Sequence, residues 1–221
     1  MKVCILIPAY NEAKAIGRVV SGVRRILDSV LVVDDGSGDN TADIARKAGA
    51  TVIVHEINKG KGAALQTGFD YILTNNYDAV ITMDSDGQHD PEDLPGFLKA
   101  FEDNPKIGVI IGSRMGDISG MPAVRKCTNK LTSFVGSLLV HQKIEDSQSG
   151  FRLVNSDILR SVNLETTGYE MESEILIKAS KAGFRIISVP IKTIYGDEVS
   201  KIKPVRDTLR FFRLFFRSLR W

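Results

Sequence analysis

Five apolar, β-branched runs alternate with helix-patterned segments, and each of the first four runs leads straight into a polar cluster. The runs Val3–Ile7, Val30–Val33, Thr51–Val54, Ala79–Met83 and Val109–Ile111 predict strands. Segments near Glu12–Ile26, Thr41–Ala48, Gly62–Leu73 and Pro91–Phe101 predict helices between them. Strands that are apolar throughout, rather than alternating, belong to a parallel sheet covered on both faces, so the pattern predicts an α/β fold with a mostly parallel central sheet flanked by helices. Ligands of such sheets bind outside the carboxyl ends of the strands. That is where "PAYNE", "DDGSGDNT", "NKGKGAA" and "DSDGQHD" fall, so the clusters are expected to share one rim and make one site.

Past residue 113 the pattern changes to a Gly-rich, basic stretch, "GSRMGDISGMPAVRK", with a helix expected over Met121–Val140. "EDSQSGFRLV" and "TTGYEMESEILIKASKAGF" then lead into a final strand pair expected around Arg185–Tyr195. With 221 residues, 43% of them hydrophobic, the chain can bury one sizeable core. Residues 1–203 are expected to form that domain and 204–221 an appended helix. No uncharged run approaches the roughly 20 residues of a membrane span. The apolar part of "MKVCILIPAYNE" is too short for a signal peptide and reads as a first core strand. Cys4 and Cys127 offer neither metal spacing nor a disulfide framework. A cytoplasmic location is the expectation.

Charge is unevenly placed. The net charge is +2, yet Ser200–Trp221 holds seven Lys and Arg against Asp207. On a helix from Pro204, Arg206, Arg210, Arg213, Arg217 and Arg220 share one face, and Leu209, Phe212, Phe215, Phe216 and Leu219 the other. The pattern is that of an interfacial amphipathic helix, predicting peripheral attachment to the cytoplasmic face of a membrane. Packing of its Phe and Leu on the catalytic domain or on a second subunit is the alternative. A nucleic-acid partner is not expected.

In "ITMDSDGQHDPEDL", Asp84, Ser85, Asp86 and Gln88 present oxygen ligands just past a strand. Mg²⁺ or Mn²⁺ takes one or two carboxylates and completes its shell with phosphate oxygens and water. Glu92 and Asp93, beside Pro91, are explained as charges at a helix start. Asp84 and Asp86 are not, because two such close carboxylates repel unless solvated or metal-bound. Asp35 in "VVDDGSGDNT" could serve a ribose or a base edge, while Asp39 or Asn40 is placed to cap the helix near Thr41. Lys59 and Lys61 among glycines suggest an anion cradle without P-loop spacing. No GxGxxG follows the first strand, which counts against a nicotinamide cofactor, and no GxSxG elbow is present. His55, His89 and His141 have no metal-ligand spacing.

Taken in order, "IPAYNE", "VVDDGSGDNT", "NKGKGAALQTGF", "MDSDGQHDPEDL", "GSR", "DSQSGFRL", "GYEMESEIL" and "VPI" with a late "SKI" resemble the family-two glycosyltransferases of the GT-A fold. Within them the chain looks most like the dolichyl-phosphate mannose synthases and bacterial polyprenyl-phosphate glycosyltransferases. The resemblance implies that Pro8, Tyr10, Asn11, Glu12 and Asp35 bind the nucleoside and that Lys61 and Ser85 contact the donor. It implies that Asp84, Asp86 and Gln88 hold Mg²⁺ or Mn²⁺ against the donor diphosphate. Arg114 and Arg125 resemble the pair that grips the lipid phosphate, and Asn129 falls where some relatives have a serine. Asp146–Arg152 resembles the segment lining the acceptor side.

The implied reaction is transfer of a sugar from a nucleotide-diphosphate donor, GDP-mannose or a UDP-sugar, to a polyprenyl phosphate, with inversion. A phosphate acceptor is already anionic at neutral pH and requires no strong base. A hydroxyl acceptor on a saccharide or glycolipid would require one, with Asp146 as the candidate. A sugar-nucleotide-binding protein without catalysis is the alternative of another class.

Overall fold

The computed structural model of the protein describes residues 1–116, 123–192, 194, 213, 214 and 216–218, the side chains of 123–128 and 131 excepted. Seven strands form one sheet in the order β3-β2-β1-β4-β6-β5-β7. They are β1 (Val3–Ala9), β2 (Val30–Asp34), β3 (Thr51–Val54), β4 (Ala79–Thr82), β5 (Ile107–Ser113), β6 (Arg152–Asn155) and β7 (Arg185–Pro190). The helices are α1 (Ile16–Arg24), α2 (Thr41–Lys47), α3 (Lys61–Thr74), α4 (Leu94–Asp103), α5 (Ala123–Val140), α6 (Ser156–Ser161) and α7 (Met171–Lys181). The expected α/β plan holds, with every strand pair parallel except the two made by β6.

The period-2 geometry of a strand sends alternate residues to opposite faces, so a run that is apolar throughout feeds two cores. In β1, Cys4 and Leu6 join Leu65, Phe69 and Ile175 on one face. Val3, Ile5 and Ile7 join Val19, Val20, Phe97 and Phe101 on the other. Each fully buried Leu, Ile or Phe contributes about 1.5–3 kcal/mol, and these two layers fix the sheet that carries the site.

Three expectations differ from the structure. The segment 10–14 is a turn rather than the first turn of α1, because Asn11 takes a left-handed φ of 54° and the Glu12 amide donates to Thr41 Oγ1 at 2.8 Å. Of the expected final strand pair, the described residues hold one strand, β7, which runs parallel beside β5 and ends at Pro190; Tyr195 lies outside them. The segment "FRLVN" supplies β6, a central antiparallel strand with Leu153 opposite both Ile81 and Ile110. Running against its neighbours, β6 brings its first residue, Arg152, beside Thr82 at the carboxyl end of β4.

The tail expected to be helical from 204 lies largely outside the described residues. Residues 213, 214 and 216–218 are helical, and Leu214, 2% exposed, joins the core layer that holds Ile175 and Leu176 of α7. Lys181 Nζ donates to the Ser218 carbonyl at 2.6 Å, and Arg217 pairs with Glu165. This part of the tail therefore packs on the domain.

Candidate active site

Pro8 and Ala9 close β1 in the core, and Tyr10 follows with 39% exposure. The turn after β1 is sewn to the turn after β2. The Asn11 amide donates to Ser37 Oγ at 2.8 Å, and Asn11 Oδ1 accepts from the Gly38 amide at 2.8 Å. The Asn11 side chain thus holds this turn in place. At the start of α2 the N-cap position is Asn40, whose side chain makes no capping bond, while Asp39 just before it accepts from the Thr41 amide at 3.0 Å.

Asp35 is 3% exposed, with donors arranged around its carboxylate. Oδ1 takes the Lys59 amide at 2.9 Å and lies 2.7 Å from His55 Nδ1; Oδ2 takes the Gly60 amide at 2.7 Å. His55 Nε2 in turn lies 2.9 Å from Thr67 Oγ1. Asp35 therefore fixes the loop that delivers Lys61 to the start of α3, and His55 has a polar partner at each ring nitrogen.

Past β4 the chain turns sharply at Gly87, whose φ of +80° suits glycine, since a Cβ there would also meet Arg18 Nη2 at 2.9 Å. The turn sets Asp84 and Asp86 side by side. Lys61 Nζ reaches Asp84 Oδ1 at 2.6 Å and Glu172 Oε1 at 2.7 Å, and His89 Nε2 lies 3.5 Å from Asp84 Oδ2. Burial works to neutralise Asp84, but the Lys61 ammonium, helped by His89, outweighs it and holds the carboxyl well below the usual range. Burial works likewise against the Lys61 charge, and Asp84 and Glu172 overcome it, keeping the ammonium well above its ordinary value. Asp86 goes the other way, raised by burial and by the neighbouring Asp84 charge, although the Gln88 amide donates to its Oδ1 at 2.9 Å. Ser85 is buried and Gln88 is half-buried, its carbonyl accepting from the Ile194 amide at 3.0 Å. Asp90 caps the turn at Pro91–Asp93 by accepting from the Glu92 amide, while Asp93 accepts from the Lys192 amide.

This donor set fits Mg²⁺ or Mn²⁺. The Asp84 side chain keeps 32% exposure, and Asp86 is crowded by like charge that a divalent ion would relieve. Among the described residues no third His, Cys, Asp or Glu completes an all-protein cage. Two carboxylates with room for phosphate and water is the pattern Mg²⁺ prefers.

On the other side of β6 stands a second charged pair. Arg114, just past β5, donates from Nε to Asp146 Oδ2 at 2.7 Å and from Nη2 to Oδ1 at 2.8 Å. Asp146 is fully buried; burial would raise its pKa, but the Arg114 hydrogen bonds hold it below the ordinary carboxylate value. To serve as the general base expected for a hydroxyl acceptor, Asp146 would act from a carboxylate whose two oxygens both accept from a guanidinium that favours the ionised form. Its observed contacts orient Arg114. Arg125 lies in α5, two residues past its start, and its side chain is outside the described set. Asn129 is buried, and its Nδ2 has no hydrogen-bond partner among the described residues.

Between the two pairs lies Arg152, 1% exposed, which the sequence reading placed only as the end of an acceptor segment. Its guanidinium donates to the carbonyls of Ser149 at 2.6 Å, Ser147 at 2.7 Å and Glu172 at 2.6 Å. Glu172 was not among the expected site residues at all. A fully buried arginine is stable when its donors are met in this way, and a strand opening on such an arginine has no apolar signature.

Asp84 with Asp86, Lys61 at the start of α3, and the Arg114–Asp146 pair all stand on one carboxyl rim, the layout of an α/β transferase of the GT-A kind. The chain belongs to glycosyl transferase family 2, whose match spans residues 4–162, and is a glycosyltransferase. It is 34% identical to a UDP-N-acetylglucosamine–dolichyl-phosphate N-acetylglucosaminyltransferase of Methanococcus voltae, across 97% of this chain and 94% of that one. It is 32% identical to an undecaprenyl-phosphate mannosyltransferase of Micrococcus luteus, across 86% of this chain and 83% of that one. Its fold superposes on glucosyl-3-phosphoglycerate synthase of Mycobacterium tuberculosis, solved with Mn²⁺, UDP and phosphoglyceric acid, with a TM-score of 0.74 at 20% identity, covering 99% of this chain and 77% of that one.

Proposed function

We propose that the protein transfers a sugar, with inversion, from a nucleotide-diphosphate sugar to a polyprenyl phosphate at a membrane surface. The observation that carries this reading is the pair of charged stations on one rim. Asp84 and Asp86 present carboxylates on the β4 side of β6, and Arg114, braced by Asp146, presents a cation on the β5 side. A metal-bridged diphosphate suits the first and an acceptor phosphate the second. The names of the Methanococcus and Micrococcus relatives support a lipid-phosphate acceptor.

In this reading Asp84 and Asp86, with Gln88, hold Mg²⁺ or Mn²⁺. That ion, when bound, neutralises charge developing on the departing diphosphate. Pro8, Tyr10, Glu12 and Asp35 bound the nucleoside side, and Lys61 and Ser85 face the donor. GDP-mannose and UDP-sugars are both candidate donors. Arg114 and Arg125 orient the acceptor phosphate so that its oxygen meets the anomeric carbon on the face opposite the leaving group. The phosphate oxygen is its own nucleophile, which agrees with the commitment of Asp146 to Arg114. No helix among the described residues is long and apolar enough to cross a membrane, so attachment is proposed to be peripheral, on the cytoplasmic face. Phe134 and Leu138 of α5 are 63% and 59% exposed, and Phe216 is 64% exposed, offering apolar contacts to a lipid surface.

The test is incubation with radiolabelled nucleotide sugars, Mn²⁺ and polyprenyl phosphate in detergent. Label is expected in the lipid phosphate fraction and is expected to disappear with EDTA. Label moving instead to a saccharide or glycolipid hydroxyl, with polyprenyl phosphate inert, would reject the phosphate acceptor.

A further inference from the structure

Lys61 already stands on one of the two carboxylates that would hold the metal. Its ammonium is 2.6 Å from Asp84 Oδ1, so a divalent cation drawn to the same carboxylate meets a like charge already in place. The Lys61 side chain is 17% exposed, so its charge cannot withdraw into bulk water. It does have a second carboxylate, Glu172 Oε1, at 2.7 Å. Glu172 is fixed in the first turn of α7, where Arg152 Nη1 donates to its main-chain carbonyl and Nη2 stands 3.9 Å from Oε2. Lys61 is also the first residue of α3, a 14-residue helix with no side-chain cap at its start. The Ala63 amide in its first turn already donates to the Thr167 carbonyl at 3.2 Å, so the cation this helix start offers to an anion is the Lys61 ammonium.

We propose that Lys61 is the resident counter-cation of Asp84, kept in place by Glu172, and that it passes to the donor diphosphate when a divalent ion takes Asp84. Metal and diphosphate then bind as a coupled pair. Alone, a divalent ion must displace Lys61 from Asp84 and leave it with Glu172 only; alone, a diphosphate meets two carboxylates without a metal. Together each relieves the cost of the other, and by linkage the coupling is the same in both directions. Glu172 is a positioning residue in this scheme. The proposal rests on the donor site of the preceding section.

The experiment measures Mn²⁺ binding at fixed pH by electron paramagnetic resonance of the free ion, with and without UDP or GDP, independently of turnover. In the unaltered protein the nucleotide is expected to tighten Mn²⁺ binding by about tenfold or more. Lys61→Met is expected to tighten nucleotide-free Mn²⁺ binding by about tenfold and to shrink the nucleotide effect by a similar factor. Glu172→Gln, which leaves Lys61 to Asp84 alone, is expected to weaken nucleotide-free binding. Unchanged or weaker Mn²⁺ binding in folded Lys61→Met overturns the proposal. If circular dichroism shows that Lys61→Met does not fold, Glu172→Gln decides: weaker binding supports the exchange, and equal or tighter binding overturns it. Absence of any nucleotide binding by the unaltered protein with Mn²⁺ would instead remove the donor site, a result distinct from nucleotide binding without coupling.

Discussion

Gly150 lets the loop before β6 pass against the carboxylate that matters most to the proposed reaction. A Cβ at Gly150 would lie 2.6 Å from Asp84 Oδ2 and 3.0 Å from Oδ1, so alanine there must push the carboxylate aside. A displacement of this kind costs about 100-fold in rate when the group positions a reacting centre. Gly150→Ala is therefore expected to lose about that factor in kcat/KM while its far-UV circular dichroism stays that of the parent, which steady-state transfer assays and spectra would check. The Arg114–Asp146 pair makes a different prediction, on stability. Removing one partner of a buried pair strands the other, so Asp146→Asn is expected to destabilise the fold by about 3 kcal/mol at neutral pH. The sign with pH follows from the depressed Asp146 value. The ionised carboxylate stabilises the fold above the ordinary Asp value of about 3.9, and that contribution is lost as pH falls through the lower, folded value. The melting-temperature gap between parent and Asp146→Asn should accordingly be widest near neutrality and narrow below about pH 4. A gap that stays constant down to pH 2.5 would mean that the carboxylate charge is not what stabilises.

β6 is the element on which the rim depends, since its direction brings Ser147–Arg152 to the same end of the sheet as Asp84 and Arg114. Leu153 is fully buried between Ile81 and Ile110, so Leu153→Ala is expected to cost about 3 kcal/mol and to lower the urea midpoint with the slope unchanged. A changed slope would show that β6 detaches as a unit instead of leaving a cavity. This strand was also the element least visible in the sequence. β1, β2, β4 and β5 announce themselves because a strand buried on both faces must be apolar throughout. β6 has four residues and starts with an arginine, and its burial is tolerated through backbone carbonyls that no local pattern reveals. The clusters "PAYNE", "DDGSGDNT" and "DSDGQHD" were legible as one site because the parallel plan puts every strand end on one rim. The Lys61–Glu172 contact was not, because it joins α3 to α7 across 111 positions and depends on how the two helix starts meet. Asp146 was visible as an acid but not as the partner of Arg114, because the two lie 32 positions apart and meet only where the chain past β5 faces the loop before β6.

The proposed attachment to a membrane involves the molecule as a whole, because part of the proposed anchor packs on the domain. The basic stripe was read from sequence as an interfacial helix, yet Leu214 sits in the core with α7 and Arg217 is paired with Glu165. Deleting residues 204–221 would thus uncover core along with removing charge, and loss of binding by the truncated chain would be ambiguous. Replacing cations while keeping Leu214 and Arg217 separates the two effects. Each cation near an anionic leaflet contributes about 1 kcal/mol. Changing Arg206, Arg210 and Arg213 together to Gln is expected to weaken binding to vesicles rich in anionic lipid by about 100-fold. The melting temperature should stay within a degree or two of the parent's, because Arg213 is exposed and Leu214 remains in place. The parent should itself lose most of its binding at 1 M salt, where the screening length falls to about 3 Å. Sedimentation with vesicles at low and high salt measures both effects. If the triple variant still sediments fully at low salt, the tail charges are not the anchor. Phe134→Ser and Leu138→Ser on α5 would then test the apolar face beside the acceptor side as the surface that holds the enzyme to its lipid.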